Sequence, residues 1–464
     1  MSAGGSSHEL VQPKERFREV ARGKLGDSGI QGAVDLSTAR LRGHRLEAWS
    51  ELGDVQELRE RANQIRMKAV RDIDLYLGQF TESLEARGGH VKVCATAEEA
   101  CAYVVDVCRR RNAKLVAKSK SMASEEIRLN DALTAAGVRP VETDLGEYIL
   151  QLAGEHPVHI VAPAIEKTKE DVARLFSAVE GQDVPAELEE LTQSARRQLR
   201  QVFLEADVGI TGANFVVAET GSIVTVTNEG NGRLVASLPK VHIAITGIER
   251  LVPTLAELAP LLQLLGRSGT GQRLTSYTHV VSGPRREGEE DGPEELHVVF
   301  LENGRRNLMG TKYEEMLACI RCGACLNVCP VYRKTAGEAY GPVYSGPMGA
   351  VLVPLLVGLP NAASLPHASS LCGACTEACP VKIPLHELLL ELRRDLVEDH
   401  VASWRERTAM SLWSFAWSSV LGYRSSTFMA RLGQRFGAKL GPGKAWASGR
   451  ELPRLARRRF RDWK

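Results

Sequence analysis

Apolar residues along this chain follow two periods, and the places where one gives way to the other outline a fold. Residues 52–82 carry charges between apolar positions at helical spacing with no turn cluster, which predicts one or two helices laid over a core. From residue 86 the pattern alternates. Residues 90–95 and 114–117 read as strands. Residues 98–111 and 125–136 read as helices, the second capped by Ser124 and ended by Gly137. A strand at 158–163 and a helix at 169–177 come next. Three closely spaced β-rich runs follow at 208–211, 215–218 and 221–227, then strands at 240–246 and 297–301. Such alternation predicts an α/β domain on a largely parallel sheet. The charged stretch 283–295 reads as a surface loop or hairpin tip.

Past residue 305 the strand signal fades. Glycine and proline punctuate an apolar run at 351–357, and Pro384 opens a good helix. From residue 401 the character changes again, with Trp404, Trp413, Phe415, Trp417, Tyr423, Phe428, Phe436, Trp446, Phe460 and Trp463 close together. A basic tail runs from Arg454 to Lys464. Aromatics at this density anchor interfaces or pack on a neighbouring domain. The tail reads either as a solvated end or as a docking element for an acidic partner or the inner membrane face. Four segments result: helical 1–85, α/β 86–304, 305–400, and the aromatic and basic 401–464.

Composition narrows this little. The chain has 464 residues, 44% hydrophobic and 25% charged, ordinary for about two or three globular domains. A net charge of +2 argues for no nucleic-acid partner. The N-terminus lacks the basic-then-apolar order of a signal peptide, and no apolar run reaches the roughly 18 residues of a membrane span. A cytoplasmic protein is expected, with attachment to the inner membrane face left open. In that reducing setting cysteines serve metals rather than disulfides. Cys94, Cys101 and Cys108 fall on strand or helix patterns and read as buried structural thiols.

The remaining seven cysteines carry the chemistry. Cys319, Cys322, Cys325 and Cys329 form C-x2-C-x2-C-x3-C-P, and Cys372, Cys375 and Cys379 repeat it without its first member. Thiolates at these spacings wrap iron–sulfur cubes, three from one short loop and the fourth, before proline, from the other run. A structural zinc site would instead pair two C-x2-C knuckles. Crossed ligation assigns Cys319, Cys322, Cys325 and Cys379 to cluster 1, and Cys329, Cys372 and Cys375 to cluster 2. The missing ligand position of cluster 2 is Ser369. Both clusters are expected to be [4Fe-4S], with the second either holding a non-cysteine ligand or being [3Fe-4S]. The long spacer between the runs predicts an α-helical ferredoxin rather than the compact two-hairpin kind. Arg321, Arg333 and Lys334 lie near the thiolates in sequence, as ordinary surface charge or as groups that raise a cluster's potential.

Three further stretches complete a pattern: Asp144-Leu-Gly-Glu147, Ala218-Glu219-Thr-Gly221-Ser, and the paired cysteine runs with three cysteines in the second. From about residue 15 to the C-terminus the chain resembles the B-type iron–sulfur component of the bacterial lactate-utilisation complex. The resemblance implies a lactate-utilisation domain with a fold like CoA transferases and sugar-phosphate isomerases. It also implies a part in oxidising L-lactate to pyruvate together with lactate-utilisation proteins A and C; on the leading expectation electrons then pass to an acceptor at the membrane surface, for instance a quinone.

The residues support their own reading of the α/β domain. Gly209, Gly212 and Gly221 flank short strands and permit close backbone approach. Lys118 and Lys120 lie between a strand and a helix, where an anion would sit. Asp144 and Glu147 form an acidic pair, and Asn214 and Glu219 bracket an apolar strand. Together they are candidates for a carboxylate-binding cleft at strand ends. Against this stands a plain reading in which Asp144 caps a helix and Gly221 makes a turn. No Gly-x-Gly-x-x-Gly follows a strand, so neither NAD nor FAD is expected. The leading expectation is an electron-transfer subunit, inactive alone. Rivals are a redox- or ligand-sensing iron–sulfur protein and a subunit of another 2-hydroxy-acid oxidase, such as one for glycolate.

Overall fold

A computed structural model describes residues 16–341, 343–401, 404–435, and 456, 458 and 459. Its contacts divide the chain into two units, Met1–Arg394 and Asp395–Lys464.

The first unit opens with α1 (Arg16–Gly26), α2 (Ser28–Ser50), α3 (Val55–Arg71) and α4 (Ile73–Glu85). Asp27 and Asp54 start α2 and α3 by accepting from first-turn amides, which offsets donors a helix leaves unpaired. The α/β part then runs β1 (His90–Cys94), α5 (Ala97–Arg110), β2 (Leu115–Lys118), α6 (Met122–Glu126), α7 (Leu129–Ala135), β3 (Arg139–Glu142), α8 (Leu145–Ala153), α9 (Lys169–Glu180) and α10 (Leu188–Glu205). It continues with β4 (Val208–Gly212), β5 (Phe215–Val217), β6 (Ser222–Thr227), α11 (Asn231–Ser237), β7 (Val241–Gly247), β8 (Leu251–Val252), α12 (Leu255–Gly269), β9 (Tyr277–Val281) and β10 (Glu295–Leu301).

Two sheets result. Six strands in the order β1-β10-β7-β4-β2-β3 pair parallel throughout. The smaller sheet, β8-β5-β6-β9, mixes parallel and antiparallel pairs. The three β-rich runs at 208–227 therefore split: β4 joins the large sheet, while β5 and β6 build the small one. Strand β7 is buried along its whole length, as a central parallel strand covered on both faces must be. Gly209 and Gly221 are used for packing rather than for a ligand. A Cβ at Gly209 would stand 1.9 Å from the Val235 carbonyl oxygen, and one at Gly221 2.6 Å from the Leu84 amide.

Two expected elements differ. The helix foreseen over 125–136 is broken at Arg128, whose φ of 53° is left-handed, and Ser121 rather than Ser124 caps its first half. Residues 158–163 form no strand. Their backbone is occupied with the cysteine-bearing segment: the Val158 carbonyl accepts from the Tyr332 and Ser345 hydroxyls, and His159 bonds Asn327.

The cysteine-bearing segment contains only helical turns among its described residues. They include α13 (Ala324–Val328), α14 (Tyr332–Thr335), α15 (Gly346–Val357), α16 (Ala374–Ala378) and α17 (Leu385–Glu398). Helices α1, α2 and α3 pack on this segment, and one apolar core runs from Ile65 and Leu261 through Met316 and Leu326 to Leu389.

The second unit holds α18 (Trp404–Ser418) and α19 (Val420–Arg435), packed on each other. Trp417 lies tilted against Trp413, with ring centroids 5.3 Å apart, and meets Tyr423 edge-on at 5.2 Å. Trp404, Trp413 and Phe415 are exposed. Phe436, Trp446, Phe460, Trp463 and most of the basic tail lie outside the described residues. Among the described residues no helix is long and apolar enough to cross a membrane.

Candidate metal centre and the cleft beside it

Both cysteine runs share one backbone device. In the first, Arg321 (φ 59°) precedes Cys322 and Gly323 (φ 78°) follows it; in the second, Leu371 (φ 55°) and Gly373 (φ 82°) flank Cys372 in the same way. A left-handed arginine or leucine is strained, and such strain persists where surroundings over-determine it. The repeated turn folds each loop back on itself. Each run then enters one helical turn, α13 or α16, and ends at its Cys-Pro pair.

Pairing across the runs is visible in what the thiols share. Cys319, Cys322, Cys325 and Cys379 line one small apolar cavity with Met348, Pro380 and Val381. Cys329 instead neighbours Cys372 and Cys375 electrostatically. Cys329 bonds Tyr340, and Cys372 is exposed. Ser369 stands three residues before Cys372, where Cys319 stands before Cys322, and its hydroxyl accepts from the Leu371 amide at 3.1 Å.

The donor chemistry fits iron–sulfur clusters. Burial pushes Cys375 up to about 11 and Cys379 to about 12, and raises Cys322, Cys325 and Cys329 as well. Such thiols stay protonated until a strongly cationic metal core holds them as thiolates. Backbone amides already point at the sulfurs: Arg321 N lies 3.4 Å from Cys319 Sγ, Tyr332 N 3.5 Å from Cys329 Sγ, and Ile383 N 3.4 Å from Cys379 Sγ. By contrast burial lifts Cys101 to about 11 and Cys108 to about 12 with no second thiol run nearby, so these are inert packing residues.

Arginines surround the first cavity. Arg66 is fully buried and donates to the carbonyls of Leu251, Glu249, Leu317 and Ala318, just before Cys319. Arg250 donates to the Cys319 carbonyl at 3.2 Å. Arg45 and Arg59 donate to the carbonyls of Ala378 and Cys379. Arg321 pairs with Glu249 at 3.3 Å and lies over the Tyr344 ring. Sequence reasoning singled out Arg321 and missed the other four, because a buried arginine spaced along an amphipathic helix reads as surface charge. Lys334 does face solvent and Arg333 is half-buried, both paired with Asp35.

Beside this cavity lies a cleft of about 280 Å³. It opens at the carboxyl ends of β2, β4 and β7, where ligands sit in open parallel sheets. Ser119, Lys120, Asp144, Asn214, Thr246 and Arg250 line it, and Arg321 and Cys322 line both cleft and thiol cavity. The other candidates lie elsewhere. Lys118 is buried beneath the sheet end, bonded to Glu125, Asn130 and Glu142. Glu147 stands behind Lys120 at 4.0 Å. Glu219 accepts from the Leu255 amide at the start of α12. Asn214 reaches the cleft with its oxygen bound to the Val226 amide, and Asp144 occupies the helix-start position of α8 without bonding an amide there.

Comparisons with known proteins bear on the whole chain. A family model described as the LUD domain matches residues 77–301, a 4Fe-4S dicluster domain matches 315–383, and "Lactate utilisation protein B, C-terminal" matches 396–464. Lactate utilization protein B of Bacillus subtilis strain 168 is 48% identical over 97% of this chain and 96% of its own length. Its namesake in Bacillus cereus strain B4264 is 47% identical over 97% of both. A crystal structure of a DUF162 family protein from Deinococcus radiodurans aligns with a TM-score of 0.28 at 14% identity, over 49% of this chain and 98% of that one, too low to carry a fold assignment.

Proposed function

The chain belongs to the lactate utilisation protein B family, and from that premise we propose that it is the iron–sulfur electron-transfer subunit of a complex oxidising L-lactate to pyruvate. The observation that carries this is the cavity where Cys319, Cys322 and Cys325 meet Cys379 from the other run. When bound, iron–sulfur clusters supply one-electron sites, which conduct electrons and do not by themselves break a C–H bond. The chain's part is to hold two such sites in series, Cys319, Cys322, Cys325 and Cys379 at one and Cys329, Cys372 and Cys375 at the other. Exposed Cys372 puts the second site nearer to solvent, where a partner would take electrons. Lactate-utilisation proteins A and C are the proposed partners, with a quinone as the final acceptor. The parallel sheet with its cleft at strand ends supports a domain of the CoA-transferase and sugar-phosphate-isomerase kind.

Anaerobic reconstitution tests the cofactor. About seven or eight irons per chain with matching sulfide are expected, as two cubes or one cube and a three-iron cluster require. Stoichiometric zinc without sulfide would contradict the proposal.

A further inference from the structure

The cleft is built to hold something. Ser119 and Thr246 are 3% and 2% exposed, line the cleft, and their hydroxyl oxygens have no hydrogen-bond partner. Leaving a buried hydroxyl unpaired costs about 1–3 kcal/mol, so two in one cleft need a reason. Lys120 Nζ is also without a hydrogen bond, its nearest carboxylate being Glu147 at 4.0 Å. Burial raises Glu147 well above the usual carboxylate range despite Lys120, helped by Glu142, Glu125 and Asp144. The carboxylate nearest Lys120 therefore opposes its charge less than an exposed one would. One ammonium and two idle hydroxyls match an acid with one carboxylate and one further oxygen. The volume, about 280 Å³, lies just under the range for drug-sized ligands, which fits a small metabolite.

We propose that this cleft binds a small 2-hydroxy- or 2-oxocarboxylate, its carboxylate toward Lys120 and its second oxygen toward one of the two idle hydroxyls, Ser119 or Thr246, against the Cys322 wall shared with the first thiol cavity. The choice of acid rests on the lactate-utilisation reading; the site itself rests on the unpaired groups. Because Arg321 and Cys322 face both spaces, the ligand adjoins the first cluster and not the second.

The full chain, reconstituted anaerobically, is titrated by calorimetry with L-lactate, pyruvate, acetate and inorganic phosphate. Paramagnetic resonance of the dithionite-reduced protein is recorded with and without each acid. Saturable binding of lactate or pyruvate is expected, at least tenfold tighter than acetate or phosphate. It should weaken at least tenfold in Lys120→Met and in Ser119→Ala or Thr246→Val, whichever hydroxyl holds the second oxygen, with iron content unchanged. Bound acid should alter only the signal that Cys322→Ser removes. No saturable binding of either acid, equal binding of phosphate, or affinity unchanged in all three variants would overturn the proposal. Each of these failures leaves cluster content and lactate-driven reduction through partner subunits unaffected, so the electron-transfer reading is judged separately.

Discussion

Arg66 commits its whole guanidinium to backbone carbonyls on either side of the α/β and cysteine-bearing parts. Arg66→Met would leave four buried acceptors without their donor. A loss of about 3–5 kcal/mol is expected from chemical unfolding of the holoprotein, the scale of breaking a buried charged contact. A change below about 1 kcal/mol would show the contact to be incidental. His242, on β7, is held at about 3 by burial and by His279 and His297, against an ordinary imidazole value of 6.5. Its neutral ring bonds Thr211 at 2.8 Å. The folded state therefore binds fewer protons than the unfolded one between these values. That stabilisation is complete above pH 6.5 and is lost as pH falls toward 3, at up to about 1.4 kcal/mol per pH unit. His242→Gln should flatten the fall in stability between about pH 7 and 5, the range in which the unfolded imidazole takes up its proton; an unchanged slope would refute the assignment. At this scale the cysteines were legible because their signal is local spacing. The arginines and His242 were not, because only tertiary contacts reveal their burial.

Among elements, α2 and α3 do more than cover a core. Trp49 sits between the guanidiniums of Arg45 and Arg59, at 5.0 and 5.2 Å, and both reach on to carbonyls at the end of the second cysteine run. Positive charge beside an anionic cluster raises its reduction potential. Arg59→Met should lower the potential of one cluster by about 40 mV, taking about 1 kcal/mol for the lost interaction and about 59 mV per 1.4 kcal/mol for one electron. Redox titration followed by paramagnetic resonance reads both clusters; an equal shift in both would refute a local effect. In the α/β part, strands β1, β2, β4, β7 and β10 and helices α5 and α9 were legible, whereas the longer α10 and α12 were not singled out. Strand β8, two residues long, is too short to show a period, and β9 is mostly polar. Residues 158–163 look like a strand because they are apolar, but they bury that surface against α13 and α14 and pair with no strand.

Over the whole molecule, Cys379 of the second run lines one cavity with Cys319, Cys322 and Cys325 of the first, and the proposed crossing of the runs would turn a linear motif into two sites. Cys379→Ser should damage the same cluster as Cys322→Ser, and Cys329→Ser the same as Cys372→Ser. Resonance spectra of the four variants decide it, and grouping of Cys379 with Cys372 would refute the crossing. The meeting of Cys379 with the first run was foreseeable from the spacing, whereas the cleft's opening onto the first cavity was not, since Ser119, Thr246 and Cys322 are far apart in the chain. On the proposed function these features serve one role, the conduction of electrons taken from lactate. The most direct measurement mixes the reconstituted chain with its partner subunits and L-lactate under anaerobic conditions, and follows the clusters by freeze-quench paramagnetic resonance. Reduction of the clusters within catalytic turnover, absent without the partners, is the predicted result. Normal lactate turnover and acceptor reduction with the clusters still oxidised, or with cluster-free chain, would contradict it.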